Sequence, residues 1–415
     1  MAVLVTGGAG YIGSHMVLDL LDAGEKVVIT DNLSSGVRWI VPREAELVVG
    51  DIGDQQLIEA IIREHDVDAV IHFAGSIVVP ESVANPLAYY HNNTVKSRAL
   101  IESCVRTGVK HFIFSSTAAV YGMPKENPVR EDSELKPLSP YGTSKLMTEL
   151  MLADVSRAHD FRYVALRYFN VAGADPKGRS GQSTPRATHL IKVACETALG
   201  KRSHIEVFGT DYPTPDGTCI RDYIQVTDLV RAHSAALKYL RNGGASDVFN
   251  CGYTKGYSVL EVIDAVKRIS GRDFEVRLAD RRPGDPRPLS WPHPTRSARR
   301  STGRPSSTIL IQSSLRRSAG KKSWPDASKR PDFPAAAQVW PHCRQEKRTP
   351  HKVSSRDSRP SFAGLTVQRG ERGRCADDER SRRAAQETPL TTVLRPRHWA
   401  SCARSDSRNI ATCHS

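Results

Sequence analysis

The feature that most constrains the fold is a glycine-rich turn between a short apolar segment and a helix-forming segment near the N-terminus. Residues 3–6 are apolar or β-branched, residues 7–13 read GGAGYIG, and the apolar side chains that follow have helical spacing. A strand, a glycine turn and a helix in this order are typical of a dinucleotide-binding unit. Gly7 permits the tight turn, Gly10 lets the backbone approach a pyrophosphate, and Gly13 allows helix and strand to pack closely. The sequence therefore predicts a diphosphate site at the positive end of a helix dipole.

An acidic residue follows the second predicted strand. Residues 26–30 form a β-branched run that ends at Asp31. A carboxylate at this place accepts hydrogen bonds from a ribose 2′-hydroxyl and repels a 2′-phosphate. We therefore expect the cofactor to be NAD rather than NADP.

A second motif places a phenol and an ammonium one helical turn apart. Ser139 is a suitable N-cap, and Pro140 suits the first helical position. On the helix that follows, Tyr141 and Lys145 share one face. A nearby cation favours phenolate, so we expect Lys145 to lower the pKa of Tyr141 from its ordinary ~10. Taken alone, such a pair more often belongs to an ordinary surface helix.

Strands and helices alternate through the first part of the chain. We predict strands at 3–6, 26–30, 46–49, 69–73, 111–116 and 162–167, and helices near 11–22, 54–63, 86–107 and 141–158. Two further helices are predicted at 228–239 and 259–270. Such alternation indicates a parallel sheet with right-handed crossovers and a ligand at the carboxyl ends of its strands.

The predicted fold class is α/β: a Rossmann-like, doubly wound parallel sheet with a smaller C-terminal substrate lobe, followed by an irregular basic tail. We expect an NAD-binding domain with the Tyr–Lys pair at 1–174, a truncated substrate lobe at 175–286, and the tail at 287–415. The boundaries follow changes in composition, because Gly, Pro and short helical segments predominate from about residue 175.

The net charge of +14 comes from the tail. Residues 287–415 hold 27 of the 59 Lys and Arg residues and 10 of the 45 Asp and Glu residues, so the tail carries +17 and the remainder −3. A basic segment of this kind could contact phosphates of a nucleic acid. Basic composition without apolar periodicity more often indicates disorder, and an out-of-frame reading would also produce it. We expect no nucleic-acid partner.

Other function classes are disfavoured. The eight cysteines show no C-x-x-C spacing, so we expect neither a metal site nor a disulfide framework. No apolar run reaches transmembrane length, and the first predicted strand begins too early to follow a signal peptide. We expect a cytoplasmic protein without a membrane partner.

Several further motifs carry a family resemblance. They are DNL at 31–33, HFAG at 72–75, YYHN at 89–92, SSTAAVYG at 115–122, RYFN at 167–170, FGTDYPTPDG at 208–217, RDY at 221–223 and RRPGD at 281–285. With the glycine turn and the Tyr–Lys pair, they make residues 2–286 similar to the extended short-chain dehydrogenase/reductases. Within that family they resemble the UDP-glucose 4-epimerases.

The resemblance implies a role for each matching residue. Tyr141 would act as catalytic base and acid, Lys145 would bind the nicotinamide ribose, and Thr117 would bridge the sugar hydroxyl and the tyrosine oxygen. The implied cofactor-binding residues are Gly7, Gly10, Tyr11, Ile12, Gly13, Asp31, Asn32, Asp51, Ile52, Phe73, Ala74, Gly75, Asn92, Ser115, Tyr141, Lys145 and Phe169. The implied substrate-binding residues are Thr117, Tyr141, Asn170, His189, Leu190, Phe208, Arg221, Arg282 and Asp285.

The activity implied is the interconversion of UDP-galactose and UDP-glucose, by transient oxidation at the sugar C4 with retained NAD. The resemblance also implies a homodimer joined through the helices near 86–107 and 141–158, and a place in galactose metabolism. Another NAD-dependent nucleotide-sugar epimerase or dehydratase is the alternative. A 4,6-dehydratase would need acidic residues after Thr117, where Ala118 and Ala119 stand. Tolerance for N-acetylated sugars stays open.

Overall fold

The computed structural model describes residues 1–282, except 125, 127, 185–187 and 254. Asp285 and the tail at 287–415 lie outside the described residues.

Strands and helices alternate as the sequence predicts. The strands are β1 (Ala2–Thr6), β2 (Val27–Asp31), β3 (Glu46–Val49), β4 (Val67–His72), β5 (His111–Ser115), β6 (Arg162–Tyr168), β7 (Asn170–Ala172), β8 (His204–Phe208), β9 (Ile220–Gln225), β10 (Asp247–Cys251), β11 (Gly256–Ser258) and β12 (Glu275–Ala279). The helices are α1 (Tyr11–Asp22), α2 (Gln55–Glu64), α3 (Val79–Ala84), α4 (Pro86–Tyr89), α5 (Lys96–Thr107), α6 (Pro140–Ala158), α7 (Leu190–Ala198), α8 (Val226–Arg241) and α9 (Val259–Ser270). Single helical turns lie at Arg38–Ile40 and Ala118–Tyr121.

The central layer is a parallel sheet with the strand order β10-β6-β5-β4-β1-β2-β3. The order reverses direction between β1 and β4, which is the switch point where ligands of this architecture bind. β1 pairs with β2 on one side and with β4 on the other, so the glycine turn that follows β1 emerges at the centre of the sheet. The predicted Rossmann-like fold class is confirmed.

Helices cover both faces of this sheet because successive strand residues point to opposite sides. Val3 and Val5 pack in a cluster that contains apolar residues of α1 and α8. Leu4 lies in the opposite cluster, together with apolar residues of α2, α5 and α6. The sheet is therefore buried on both faces, as parallel sheets require.

Two smaller sheets extend from the carboxyl side of the central layer. One has the order β11-β9-β7 and the other pairs β12 with β8. A third apolar cluster joins these strands to helices α7 and α9. It contains Ala172 of β7, Val207 of β8, Ile191 of α7 and Ile263 of α9. This part of the chain corresponds to the expected smaller lobe. The proposed domain boundaries at 174 and 286 stay predictions.

The predicted helix at 86–107 is interrupted in the structure. Helix α4 begins at Pro86, and a wider π-helical turn at Tyr90–Val95 separates it from α5. Such turns concentrate at functional sites because they redirect side chains. Here the turn lets Asn93 accept a hydrogen bond from the backbone N–H of Ser76 at 2.7 Å, while Asn92 donates to the Ser76 hydroxyl at 3.0 Å.

The sheet also contains a strand that the sequence analysis did not predict. β10 pairs with β6 in parallel, from Asp247 opposite Val164 to Cys251 opposite Tyr168. The chain thus returns from the smaller lobe to the edge of the central sheet. In the described part of the chain, no helix is both long and apolar enough to cross a membrane.

Candidate functional site

One large cavity lies at the carboxyl ends of the central strands, with a volume of about 2450 Å³. A pocket for one small ligand typically measures ~300–1,000 Å³, so this cavity has room for two. All described residues that the sequence analysis assigned to the site line it. Asp285 is the exception, since it lies outside the described residues.

The glycine turn packs so closely against neighbouring backbone that Gly7 and Gly13 have no room for a side chain. Gly7 has φ +72°, and a Cβ there would lie 2.7 Å from the backbone nitrogen of Ala74. A Cβ on Gly13 would lie 2.2 Å from the carbonyl oxygen of Gly7. The turn therefore brings the N-terminus of α1 against β1 and β4, and leaves backbone N–H groups facing the cavity.

Asp31, at the end of β2, fixes the same turn. Its carboxylate accepts a hydrogen bond from the backbone N–H of Ala9 at 3.0 Å and another from that of Leu33 at 2.8 Å. The side chain is buried but lines the cavity. Each oxygen retains acceptor capacity, because a carboxylate has about four lone-pair sites.

Asp51 follows β3 and has a partner that the sequence analysis did not identify. Lys96, at the start of α5, donates to its carboxylate at 2.5 Å, and the N–H of Gly53 donates at 2.8 Å. Burial raises the pKa of Asp51, but the Lys96 and Gly53 hydrogen bonds outweigh that effect and hold the pKa below its ordinary value. The carboxylate is therefore ionised and fixed in orientation.

Tyr141 and Lys145 lie on α6 as predicted, with Ser139 as the N-cap, its hydroxyl accepting from the N–H of Gly142 at 3.3 Å. The Lys145 ammonium donates to the carbonyl oxygen of Ser115 at 3.0 Å, which ties α6 to the end of β5. Thr117, two residues after Ser115, caps the next helical turn by accepting from the N–H of Ala119 at 3.1 Å. The three predicted catalytic side chains therefore meet in one cavity.

The predicted lowering of the Tyr141 pKa is wrong for this structure. Burial raises the pKa of Tyr141, and the hydrogen bond with Thr117 opposes that effect without overcoming it. Burial also lowers the pKa of Lys145 to about 8, with the charge of Glu149 acting in the opposite direction. The reason is that both groups are withdrawn from water, which disfavours the charged form of each.

On the opposite wall, an aromatic ring and a guanidinium group pair with each other. The guanidinium carbon of Arg282 lies 5.0 Å from the centre of the Phe208 ring. His189, the N-cap residue of α7, accepts at Nδ1 a hydrogen bond from the Gln182 amide nitrogen at 2.7 Å. Burial, aided by the charge of Lys192, lowers the pKa of His189 below its ordinary value, which favours the neutral ring.

Two further features were missed by sequence reasoning. One is the Lys96–Asp51 ion pair, and the other is a buried ion pair between Glu149 and Arg167 below the Tyr–Lys pair. Glu149 stands four residues after Lys145, and this spacing could have placed Glu149 near the Tyr–Lys pair, although it gives no signal for its partner Arg167. Within the described residues, no group of three or more His, Cys, Asp or Glu is arranged to hold a metal ion.

Comparison with known proteins agrees with this geometry. The profile of the NAD dependent epimerase/dehydratase family matches residues 3–252. A UDP-glucose 4-epimerase of Azospirillum brasilense is 59% identical over 284 residues, which cover 68% of this chain and 82% of the relative.

Solved structures of similar proteins have the same fold. A UDP-glucose 4-epimerase of Bifidobacterium longum in complex with NAD+ and UDP superposes with a TM-score of 0.71 at 35% identity, covering 84% of this chain and 99% of that one. A UDP-Glc/GlcNAc 4-epimerase of Campylobacter jejuni superposes with a TM-score of 0.59 at 51% identity, covering 69% and 89%. The chain therefore belongs to the NAD dependent epimerase/dehydratase family.

Proposed function

We propose that the protein interconverts UDP-galactose and UDP-glucose as an NAD-dependent 4-epimerase. The observation that carries the proposal is that Tyr141, Lys145 and Thr117 meet in one cavity with the glycine turn on one side and Phe208–Arg282 on the other. The 59% identity with the Azospirillum enzyme supports the same reaction.

The cofactor side of the cavity fits NAD. The crowded glycine turn leaves the α1 N-terminus open to a diphosphate, and the fixed Asp31 carboxylate can accept from two ribose hydroxyls. Asp51, held by Lys96, faces the cavity beside Ile52, where the adenine would lie. When bound, NAD supplies a hydride acceptor and a positively charged nicotinamide ring beside the catalytic pair.

Tyr141 is the group that would move the proton. Its phenolate would accept the proton of the sugar 4-hydroxyl and return it when the opposite configuration forms. Lys145 would supply positive charge beside that oxygen, and Thr117 would align the hydroxyl through its own hydrogen bond. Since burial raises the pKa of Tyr141, its phenolate is a strong base once formed.

The substrate side would hold the nucleotide rather than the sugar. Phe208 and Arg282 form an aromatic and cationic wall, with Arg221 nearby on β9. Guanidinium groups bind phosphate oxygens through two parallel hydrogen bonds, so they suit a diphosphate. Anchoring there leaves the sugar free to turn between oxidation and reduction, which inversion at C4 requires.

The decisive test is incubation of the purified full chain with UDP-galactose and no added cofactor. We expect UDP-glucose to form, with the Tyr141→Phe variant as the inactive control. Steady accumulation of NADH on addition of NAD would instead indicate a dehydrogenase. Absence of product from a protein that contains NAD would overturn the proposal.

Epimerisation of N-acetylated UDP-sugars is a second candidate activity. The 51% identity with the UDP-Glc/GlcNAc 4-epimerase of Campylobacter jejuni favours it. The same incubation with UDP-N-acetylglucosamine measures it. A ratio of the two kcat/KM values below about 10⁻³ would exclude it.

We also propose that the protein is a cytoplasmic homodimer of galactose metabolism. Exposed apolar side chains lie on the paired α4–α5 and α6 segments, where Leu87 is 78%, Val95 51% and Leu150 57% exposed. Apolar groups clustered in this way indicate a covered surface, and a second copy is the occupant that the family resemblance implies. Sedimentation of the wild type and of Leu150→Lys tests it, since the charge should yield monomers.

A further inference from the structure

Arg167 belongs to the RYFN motif at 167–170 but does not line the cavity in the described structure. It lies on β6 and is 3% exposed. Its Nη2 donates to Oε2 of Glu149 at 2.6 Å, and its Nε lies 3.1 and 3.2 Å from the two carboxylate oxygens. A buried pair with this geometry is costly to place in a protein unless its remaining hydrogen bonds are satisfied.

The other bonds of Glu149 lead directly to the catalytic strand end. Glu149 lies on α6 one turn after Lys145, so the two side chains share a face. The Ser116 hydroxyl donates to Oε1 of Glu149, while the Lys145 ammonium donates to the carbonyl oxygen of Ser115 at 3.0 Å. Ser115 and Ser116 are thus each held by a side chain of α6. The next residue in the chain is Thr117.

Arg167 also donates hydrogen bonds to groups other than Glu149. Its Nη1 donates to the Tyr121 hydroxyl at 2.9 Å and to the carbonyl oxygen of Glu131 at 3.2 Å. The Tyr121 hydroxyl in turn donates to Oδ1 of Asn250 on β10 at 2.6 Å. The ion pair is therefore tied to the Ala118–Tyr121 turn, to the segment that contains Glu131 and, through Tyr121, to β10.

We propose that Glu149, held in place by Arg167, is a positioning residue that orients Lys145 and the end of β5 and supplies the counter-charge of the Lys145 ammonium. The inference rests on the proposed function, because it concerns the acid–base pair of that reaction. This role would explain why Arg167 stands in the RYFN motif although its side chain does not line the cavity.

The surroundings of Lys145 make a counter-charge necessary. The Phe114 ring lies 4.9 Å from its nitrogen, and His72 on β4 is buried with its pKa lowered to about 3 by desolvation, so it stays neutral. Tyr141 on α6 and Tyr168 on β6 are phenols with pKa values raised by burial.

Glu149 is the carboxylate that acts on Lys145 among the described groups. Its charge opposes the desolvation that lowers the pKa of Lys145. Removal of that charge lowers the Lys145 pKa further, so the ammonium is lost at a lower pH.

The test compares two variants that separate charge from shape. Glu149→Gln removes the charge and keeps the size, whereas Glu149→Asp keeps the charge and shortens the side chain. The pH midpoint of Lys145 reactivity is measured by competitive acetic anhydride labelling of the full chain with peptide mass spectrometry. Asp154→Asn, which removes a charge from an exposed position of the same helix, is the matched control.

We expect the midpoint to fall by about one pH unit in Glu149→Gln, the order expected for one partly screened charge a helical turn away. It should stay unchanged in Glu149→Asp and in Asp154→Asn. An unchanged midpoint in Glu149→Gln, or an equal fall in Glu149→Asp, would refute the inference.

A double variant covers the case in which an unpaired Arg167 prevents folding. Glu149→Gln with Arg167→Met leaves no unpaired buried charge, and such replacements are tolerated better than the loss of one partner. It should show a midpoint lowered in the same direction but by less than in Glu149→Gln, because the positive charge of Arg167 is removed as well. If the wild type itself failed to convert UDP-galactose, the proposed function would fail, whereas the labelling midpoints would still report the positioning role.

Discussion

Substitution of Gly7 by alanine gives the sharpest test of the cofactor site. Gly24 is the matched control, because both glycines have left-handed backbone angles, with φ +72° at Gly7 and +78° at Gly24. Their surroundings differ completely. A Cβ on Gly24 meets nothing within 4 Å, while a Cβ on Gly7 would lie 2.7 Å from the Ala74 nitrogen and 2.9 Å from its Cα.

The difference can be converted into free energy. Left-handed backbone at an alanine costs about 1–2 kcal/mol, and this cost is common to both variants. The Gly7 variant adds a clash with backbone atoms, which no rotamer change relieves, and overpacking of this kind costs about 1–3 kcal/mol more. Ala74 cannot retreat easily, since the preceding N–H of Phe73 donates to Thr6 O at 3.0 Å. We therefore expect the free energy of unfolding to fall by about 1–2 kcal/mol in Gly24→Ala and by about 2–5 kcal/mol in Gly7→Ala.

Two measurements check this expectation. Urea unfolding gives the two free energies, and release of nucleotide from the denatured proteins gives the NAD content. The clash displaces the glycine turn from the α1 N-terminus, so Gly7→Ala should lose NAD while Gly24→Ala retains it. Equal unfolding free energies, or full NAD content in Gly7→Ala, would refute the reasoning from the Cβ contacts.

The remaining predictions concern the catalytic pair, the substrate wall and the tail. Tyr141→Phe should lower kcat by about 10²–10⁴-fold while the NAD content stays constant, because one proton-transfer group is lost; a smaller effect would assign the base elsewhere. Since burial raises the pKa of Tyr141, kcat of the wild type should increase with pH on the acidic side of its profile, as the phenolate fraction grows; a pH-independent rate from 6 to 9 would contradict this. Phe208→Ala, which removes the ring under Arg282, should weaken UDP binding by about tenfold in calorimetry, with NAD content as the control. Finally, translation of the coding DNA of 287–415 in the other two frames should yield a helix-rich ending in one of them, and failure in both would reject the out-of-frame explanation.

Much of the fold was predictable because its signals are local. The turn at Gly7 and the caps at Ser139 and Ser258 are short patterns, and each fixes where an element begins. β10 escaped prediction because its partner β6 lies about 80 residues earlier, and a five-residue run carries no information on such a distant pairing. The π-helical turn at Tyr90–Val95 escaped because apolar periodicity cannot distinguish it from continuous helix.

The same distinction applies to the site. Residues at or just beyond the end of a strand, such as Asp31, Asp51 and Ser115, were assigned to the site because parallel strands place their carboxyl ends at one edge of the sheet. The partner of such a residue was missed when it lies on a different helix or strand. Lys96 reaches Asp51 from α5, and no spacing in the sequence connects the two.

The upward shift of the Tyr141 pKa shows why the four-residue spacing of Tyr141 and Lys145 alone predicted the wrong direction. A tyrosine and a lysine one turn apart on an exposed helix would influence each other mainly by charge. Here both are buried, so desolvation raises the pKa of Tyr141 and lowers that of Lys145 to about 8. The two pKa values therefore move apart, because burial disfavours the charged form of each group. A further negative charge near Lys145 favours its charged ammonium before the phenolate forms. Glu149 is placed to do this, which makes the buried ion pair with Arg167 part of the acid–base apparatus rather than of the core alone.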